Sequence, residues 1–361
     1  MIYVSNMNVG GAERVVMTLA NQLNKDMEIV VLTDSVGTHE FQGETDFRRI
    51  NLNYQVAASK IMRAFRKIGY LYRMRQVCLE EKPDVIVSFS IECGLRIQTA
   101  LKGTSIKQVI TVRSNPALDY QNESQIAAIT RKLSGIQGFV FQTQQQRDFF
   151  PKEIREKSCI IFNPLNEEFL QKKEQVQKQK EVITVGRLTR SKDHKMLLRA
   201  YNKLAEEFPE YRFLIYGNGE LCTETEEYRQ TLKHKDQIYL CGETQNVKEC
   251  LNKAEVFVLS SSNEGMPNSL MEAMAMEMPV VSTDCPCGGP AALIQEGING
   301  FLVPVGDDEM LAQKISVLLR NQKLAFTIGK NAGKIKELCS GEYIAKQWID
   351  YLRKIIEHET K

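Results

Sequence analysis

The chain has 361 residues, enough for two ordinary domains, with a quarter of them charged and 43% hydrophobic. A net charge of +2 argues against a nucleic-acid partner. Nine cysteines, scattered without paired spacing, exclude a zinc ribbon and suggest a reducing cytoplasm.

Short Val- and Ile-rich runs alternate with amphipathic segments, the pattern of βαβ units and parallel sheets. In the first half the predicted strands are IYV (2–4), EIVVLT (28–33), DVIVSF (84–89), KQVITV (107–112), GFVFQ (138–142) and CIIF (159–162). The first of these is short and reads as an abbreviated edge. In the second half they are EVITVG (181–186), RFLIYG (212–217), QIYLCG (237–242), EVFVLS (255–260), PVVSTD (279–284) and GFLVPV (300–305). About six strands in each half fit twin doubly wound domains. A polar segment at 163–181, opening on Asn-Pro, marks the linker. The run 341–358 repeats apolar residues at helical spacing, holds the only tryptophan, and could pack on either domain. The opening MIYVSNMNVGG lacks a basic region followed by an apolar one, and no stretch of about 18 apolar residues occurs. The expectation is a protein neither led out by a signal peptide nor threaded through a membrane.

Five stretches could carry chemistry. NVGGAERVV (8–16) is a glycine-rich turn opening a helix with Glu13 and Arg14 in its first turn. It suits an anion or sugar hydroxyls, although Glu13 opposes an anion, and a plain β-to-α turn fits equally. Between 60 and 82 lie seven Lys and Arg against two Glu. Ile61, Phe65, Ile68, Tyr72 and Leu79 form one helical stripe, most simply the sheet-packing face; the basic side, with Lys60, Arg63, Arg66, Lys67 and Arg73, faces either anionic lipid heads or plain solvent. The first 163 residues as a whole hold 21 Lys and Arg against 16 Asp and Glu, so the first half is the basic one.

In the second half, VGRLTRSKDHK sets Arg187 and Lys192 after a strand, where ligands of parallel sheets bind; two cations there suit a diphosphate, and a solvated loop is the competing reading. YGNGEL (216–221) by itself is a turn. EGMPNSLME (264–272) carries Glu264 and Glu272, readable as acceptors for a vicinal diol, as the acid/base pair of a glycosidase, or, for Glu272, as a first-turn helix residue. The four histidines at 39, 194, 234 and 358 are far apart, no Asp-x-Asp pair occurs, and no nucleophile elbow is present.

Taken in order, VGRLTRSK, YGNGEL, LCGETQNVKECL, SSSNEGMPNSLMEAMAMEMPVVSTD and NGFLVPVGD resemble the retaining glycosyltransferases of family 4 over nearly the whole chain. The resemblance implies the α/β GT-B architecture: two Rossmann-like doubly wound domains, an acceptor domain at 1–163 joined by a returning helix at 342–361, and a nucleotide-sugar domain at 164–341. It implies no metal and no cofactor. Arg187 and Lys192 would hold the donor diphosphate and Glu264 would sit by the hexose. Gly265, Met266, Pro267, Asn268 and Ser269 would face its hydroxyls and phosphate, and Glu272 the ribose. Gly217, Asn218, Gly219, Gly242 and Thr244 would border the nucleoside, while Gly10, Gly11, Glu13 and Arg14 would lie on the acceptor or phosphate side.

Two departures qualify the match. Many relatives carry a His after the strand corresponding to KQVITV, where this chain has Arg113-Ser114-Asn115-Pro116, so that contact to the donor sugar is either missing or made by Arg113, which the resemblance groups with the acceptor or phosphate side. Many also have Gly-Phe-Gly after the first glutamate, where this chain has Gly-Met-Pro-Asn. Together with Cys-Pro-Cys-Gly-Gly-Pro at 285–290, the Gly-Met-Pro-Asn variant resembles the subset that transfers galactose or N-acetylgalactosamine from UDP. The implied activity is transfer from a UDP-sugar to a lipid-diphosphate-linked glycan in capsule or O-antigen assembly. The enzyme would be peripheral on the cytoplasmic face, touching anionic membrane through its basic domain. An epimerase of the same fold and a non-catalytic sugar-nucleotide-binding partner are the alternatives.

Overall fold

The structure, a computed structural model, describes residues 1–8, 10–37, 40, 45–54, 60–171 and 176–357, with side chains omitted at 60, 61, 63 and 64. His39, Ser59, His358 and the rest of the chain after 357 lie outside the described residues, as do the side chains of Lys60, Ile61 and Arg63. The chain forms two compact units, Met1–Asn166 with Gly341–Lys361, and Glu167–Ser340.

The first unit holds a seven-stranded sheet of β1 (Ile2–Val4), β2 (Val30–Thr33), β3 (Arg48–Asn51), β4 (Val85–Ser88), β5 (Lys107–Thr111), β6 (Gly138–Phe141) and β7 (Ser158–Ile160). Their order is β3-β2-β1-β4-β5-β6-β7, every pair parallel. β1 is therefore central rather than an edge. Three residues suffice because Ile2, Tyr3 and Val4 are all buried and pair on both sides, with Val31 and Val87 flanking Ile2. The true edge is β3, Arg-Arg-Ile-Asn, which strand patterning missed because an edge strand carries polar residues. Side chains alternate between faces: Ile2 and Val4 meet Leu19 and Leu23 of the helix Gly11–Leu23, whereas Met1 and Tyr3 meet Met74 and Cys78 of the helix Lys60–Glu81.

The helix Lys60–Glu81 turns the other way from the expected one. Phe65, Ile68 and Tyr72 are 70%, 66% and 64% exposed, and Leu79 is exposed too, while Tyr70, Met74 and Cys78 face the sheet. The sequence contains two apolar stripes, and polar chemistry selects between them. The Tyr70 hydroxyl meets the Tyr3 hydroxyl at 2.8 Å and donates to Asp34, which also pairs with Arg96, so the Tyr70 side is drawn inward.

The terminal helix Gly341–Glu357 packs on this first unit through Ile344, Ala345, Trp348, Ile349 and Leu352, with Trp348 stacked on Phe89 at 6.4 Å between centroids. Its far end is fastened by Lys107, which donates to the Ile355 carbonyl at 2.9 Å and the Ile356 carbonyl at 2.6 Å, where a helix C-terminus favours a cation. Tyr351 accepts from the Phe139 N–H at 2.9 Å and donates to the Lys157 carbonyl, and a Cβ on Gly138 would lie 2.5 Å from its oxygen. Tyr351→Phe is expected to cost about 0.5–1.5 kcal/mol, because the hydroxyl's own bonds are lost while the Phe139 N–H keeps the Lys157 carbonyl at 3.1 Å. Calorimetric unfolding of the variant should show the drop.

The second unit holds a six-stranded parallel sheet of β8 (Glu181–Val185), β9 (Arg212–Tyr216), β10 (Ile238–Gly242), β11 (Val256–Leu259), β12 (Val280–Thr283) and β13 (Phe301–Val303), in the order β10-β9-β8-β11-β12-β13. Each matches a predicted run; the inner strands β8, β11 and β12 do so because strands covered on both faces read as unbroken apolar sequence, whereas β10 is a largely exposed edge. The winding reverses between β8 and β11, the switch point at which such sheets bind ligands beyond the strands' carboxyl ends.

Candidate active site

The residues after β8 and β11 meet at that switch point. Ser260 donates to the Lys192 carbonyl at 2.8 Å, and Ser262 donates to the Ser191 carbonyl from its N–H at 2.8 Å and its hydroxyl at 3.3 Å. Thus the serines ending the apolar run stitch the loop after β8 to the end of β11. The Lys192 ammonium forms an ion pair with Glu264, and Ser261 donates to the same carboxylate oxygen at 2.7 Å. The two charged side chains are only 19% and 13% exposed. Lys192 passes over Gly186, whose added Cβ would lie 3.5 Å from the lysine Cε. Arg187 differs: it is exposed, and its side chain makes no hydrogen bond or ion pair among the described residues, although its carbonyl accepts from the Thr189 N–H at 2.9 Å. The expected cation pair is therefore one anchored ammonium and one unengaged guanidinium. Ser260 and Ser261, which no motif singled out, were signalled only by three serines in a row at a strand end.

The glycines of YGNGEL serve a backbone seam. Gly186 N–H donates to the Tyr216 carbonyl at 3.0 Å, Leu188 N–H to Asn218 at 2.9 Å and Gly217 N–H to Gly242 at 2.8 Å, lacing three strand ends together. A Cβ on Gly217 would sit 1.9 Å from the Gly186 oxygen, and one on Gly219 2.4 Å from that of Leu188. Thr244 lies further out, accepting from the Asn246 N–H at 3.1 Å. It lines a cavity of about 490 Å³ with Tyr216, Tyr239 and Arg212, and none of Arg187, Lys192 and Glu264 lines that cavity.

The segment after Glu264 is half core and half surface. Met266 and Pro267 are buried, while Gly265, Asn268 and Ser269 are half-buried. The helix that follows runs Asn268–Ala275 with no side-chain cap and no acidic residue in its first turn. Glu272 is the fifth residue of this helix and buried, so the first-turn reading is corrected: the helix starts at Asn268, after Pro267 and one residue before the run SLMEAMAM, which puts Glu272 just past the first turn. The Cys-Pro-Cys-Gly-Gly-Pro segment packs directly on this loop. Glu264 N–H donates to the Pro286 carbonyl at 3.0 Å, and a Cβ on Gly289 would lie 1.7 Å from the Gly265 oxygen.

His194 opens the helix His194–Glu207 at 5% exposure, with one ring nitrogen buried and unpartnered. Burial, helped by the Lys192 charge, pushes its pKa down to about 4. With the folded pKa below the unfolded value of about 6.5, the native state binds fewer protons between those limits. Stability is complete above pH ~6.5 and falls towards pH ~4, by up to about 3 kcal/mol from this residue. Urea midpoints measured across that window should fall less steeply for His194→Gln than for the parent.

In the first unit the glycine-rich turn is filled from within. Gly10 precedes the helix Gly11–Leu23 without a side-chain cap, and a Cβ on Gly10 would lie 2.4 Å from the Glu13 carboxylate, which folds back over the helix start. Gly11 is exposed and Arg14 half-buried beside it. Beyond β5, the Arg113 guanidinium lies 4.8 Å over the Phe89 ring. A further charged cluster that sequence reasoning missed is Asp34 with Tyr3, Tyr70 and Arg96, at the carboxyl ends of β1 and β2. Its one signal is an aspartate directly after an apolar strand.

Comparison with known proteins bears on both units. The pattern that defines Glycosyltransferase Family 4 matches residues 9–169, and that of Glycosyl transferases group 1 matches residues 166–335. A Campylobacter jejuni GalNAc-α-(1→4)-GalNAc-α-(1→3)-diNAcBac-PP-undecaprenol α-1,4-N-acetyl-D-galactosaminyltransferase is 26% identical over 98% of this chain and 97% of its own. Another enzyme of that organism, an N-acetylgalactosamine-N,N'-diacetylbacillosaminyl-diphospho-undecaprenol 4-α-N-acetylgalactosaminyltransferase, is 23% identical over 97% of this chain and 98% of its own. Among solved structures, Anabaena HepE in complex with UDP and glucose superposes with a TM-score of 0.82 at 15% identity, covering 98% of each chain.

Proposed function

This chain belongs to the family 4 glycosyltransferases of the GT-B fold, and from that premise we propose that it is a retaining enzyme moving GalNAc or Gal from a UDP-sugar onto a lipid-diphosphate-linked saccharide. The observation that carries the reading is the Lys192–Glu264 pair beside the unengaged Arg187 at the β8/β11 switch point. Cations fixed there offset the charge that develops on a departing diphosphate, which is the barrier of this transfer, and they do so without a metal ion. Glu264, held by Lys192 and Ser261, acts as an acceptor for sugar hydroxyls. The donor assignment is supported by the two N-acetylgalactosaminyltransferase relatives and by the packing of the 285–290 segment on Gly265.

Membrane contact belongs to the same proposal. No helix among the described residues is long and apolar enough to cross a membrane. The helix Lys60–Glu81 instead presents Phe65, Ile68 and Tyr72 outward, flanked by exposed Arg66 and Arg73. An apolar stripe edged with arginines fits an anionic bilayer surface, which supports the reading of a peripheral enzyme on the cytoplasmic face.

Purified protein with a lipid-diphosphate saccharide is expected to release UDP from UDP-GalNAc or UDP-Gal in the presence of EDTA, with the α-anomer in the product by NMR. Release of GDP from GDP-Man alone, a reaction abolished by EDTA, or an isomeric UDP-sugar formed without acceptor would each overturn a stated part. Flotation with anionic liposomes should be lost in a Phe65→Ser/Ile68→Ser/Tyr72→Ser variant and should weaken with salt.

A further inference from the structure

Arg113 is a side chain whose chemistry the internal structure leaves unanswered. It stands at the carboxyl end of β5, over Phe89 at the end of β4, one strand from the point where the first sheet reverses its winding. One of its terminal nitrogens is buried without a hydrogen-bond partner, and the guanidinium makes no ion pair among the described residues. The contrast with Arg96 nearby in the same unit is direct, since that cation is neutralised by Asp34. Burial alone lowers the Arg113 pKa to about 9, with no carboxylate acting on it.

The loop that carries Arg113 is firm. Asn115 accepts from the Ala117 N–H at 3.0 Å, Gln146 donates to the Ser114 carbonyl at 3.1 Å, and Pro116 starts the next short helix. Desolvating a lone guanidinium is costly unless a hydrogen-bonding anion meets it. A fixed loop and a stacking ring keep it in place without one.

We infer that Arg113 is the receptor for an oxyanion, phosphate or carboxylate, borne by a substrate that docks at the carboxyl ends of the first unit's strands. Two substrates could supply it: the acceptor through its diphosphate, or the donor through an acidic group of its own. Only the kinetic arm of the test below rests on the glycosyltransferase reading.

Inorganic pyrophosphate is the probe, titrated into protein already carrying Arg187→Ala and Lys192→Ala so that the cations of the second unit do not contribute. It is expected to raise the Tm of that protein, to leave the Tm unchanged once Arg113→Gln is added, and to act again with Arg113→Lys. Without ligand, Arg113→Gln should be at least as stable as the parent, because a desolvated charge has been removed. With Arg187 and Lys192 intact, Arg113→Gln should raise KM about ten- to a hundredfold for the substrate that bears the anion, the size of a lost charge-assisted hydrogen bond. A shift confined to the acceptor identifies its diphosphate; a shift confined to the donor identifies the acidic group there. An Arg113→Gln protein that unfolds, that responds to pyrophosphate like its parent, or that keeps both KM values overturns the inference. Failure of the parent to transfer any sugar would sink the enzyme reading and leave the pyrophosphate result standing.

Discussion

Lys192→Ala is expected to lower kcat by about 10²–10³-fold, the usual cost of removing one preorganised group that stabilises developing charge. UDP release by the variant, measured under saturating donor and acceptor, reads this directly. The ammonium is held on three sides: its carbonyl by Ser260, its head by Glu264, and its chain over Gly186. It therefore needs no reorganisation when charge appears on the diphosphate, which is the condition under which such a group contributes most. Stability should fall as well, since the Glu264 carboxylate, only 13% exposed, keeps the Ser261 hydroxyl but loses its cation, so kcat is read at a temperature where the variant is folded. A Lys192→Ala enzyme that turns over at the parental rate would remove the lysine from the mechanism. Arg187→Ala should act more on KM than Lys192→Ala does, because Arg187 has no internal partner and must order itself on the ligand.

Gly289→Ala should damage folding and activity together. Its Cβ would fall 1.7 Å from the Gly265 carbonyl oxygen and 2.9 Å from Pro267, so backbone must move. Overpacking of this kind costs about 1–3 kcal/mol or more, and a displacement near 1 Å in a catalytic loop costs about 10²-fold in rate. Gly242→Ala supplies the comparison. Its φ of +71° strains an alanine by roughly 1–2 kcal/mol, but the new Cβ meets nothing within 4 Å. If Gly289→Ala lost no more rate than Gly242→Ala, the 285–290 segment would not be what sets the Glu264 loop.

What was legible in the sequence follows from how each feature is buried. Runs such as EVFVLS and PVVSTD announce strands because both faces of β11 and β12 are covered, leaving no polar alternation to confuse the pattern. Arg48–Asn51 hid because an edge strand is permitted charge. The helix Lys60–Glu81 carried two stripes, and periodicity cannot choose between them. The choice lay in the Tyr70 hydroxyl and its contact with Asp34, a residue 36 positions away. At the site, residue types and spacing pointed to Arg187, Lys192 and Glu264. They could not show that lysine and glutamate neutralise one another while the arginine stays free, because that depends on side-chain geometry across a switch point. The Ser260–Ser262 run was unreadable for a plainer reason: its hydroxyls act on the carbonyls and carboxylate of other loops, and such contacts leave no periodic trace.

The first unit is built from the two ends of the chain, with Gly341 onward completing a core begun at Met1. A ribosome must therefore synthesise the whole of Glu167–Ser340 before Trp348 exists to cover Leu19 and Phe89. At about 5–20 residues per second that interval is on the order of ten to thirty seconds. During it the nascent amino-terminal sheet displays an uncovered apolar face, while the later, contiguous unit can finish first. The first unit, begun earliest, is thus the one whose core is completed after the second unit has been made.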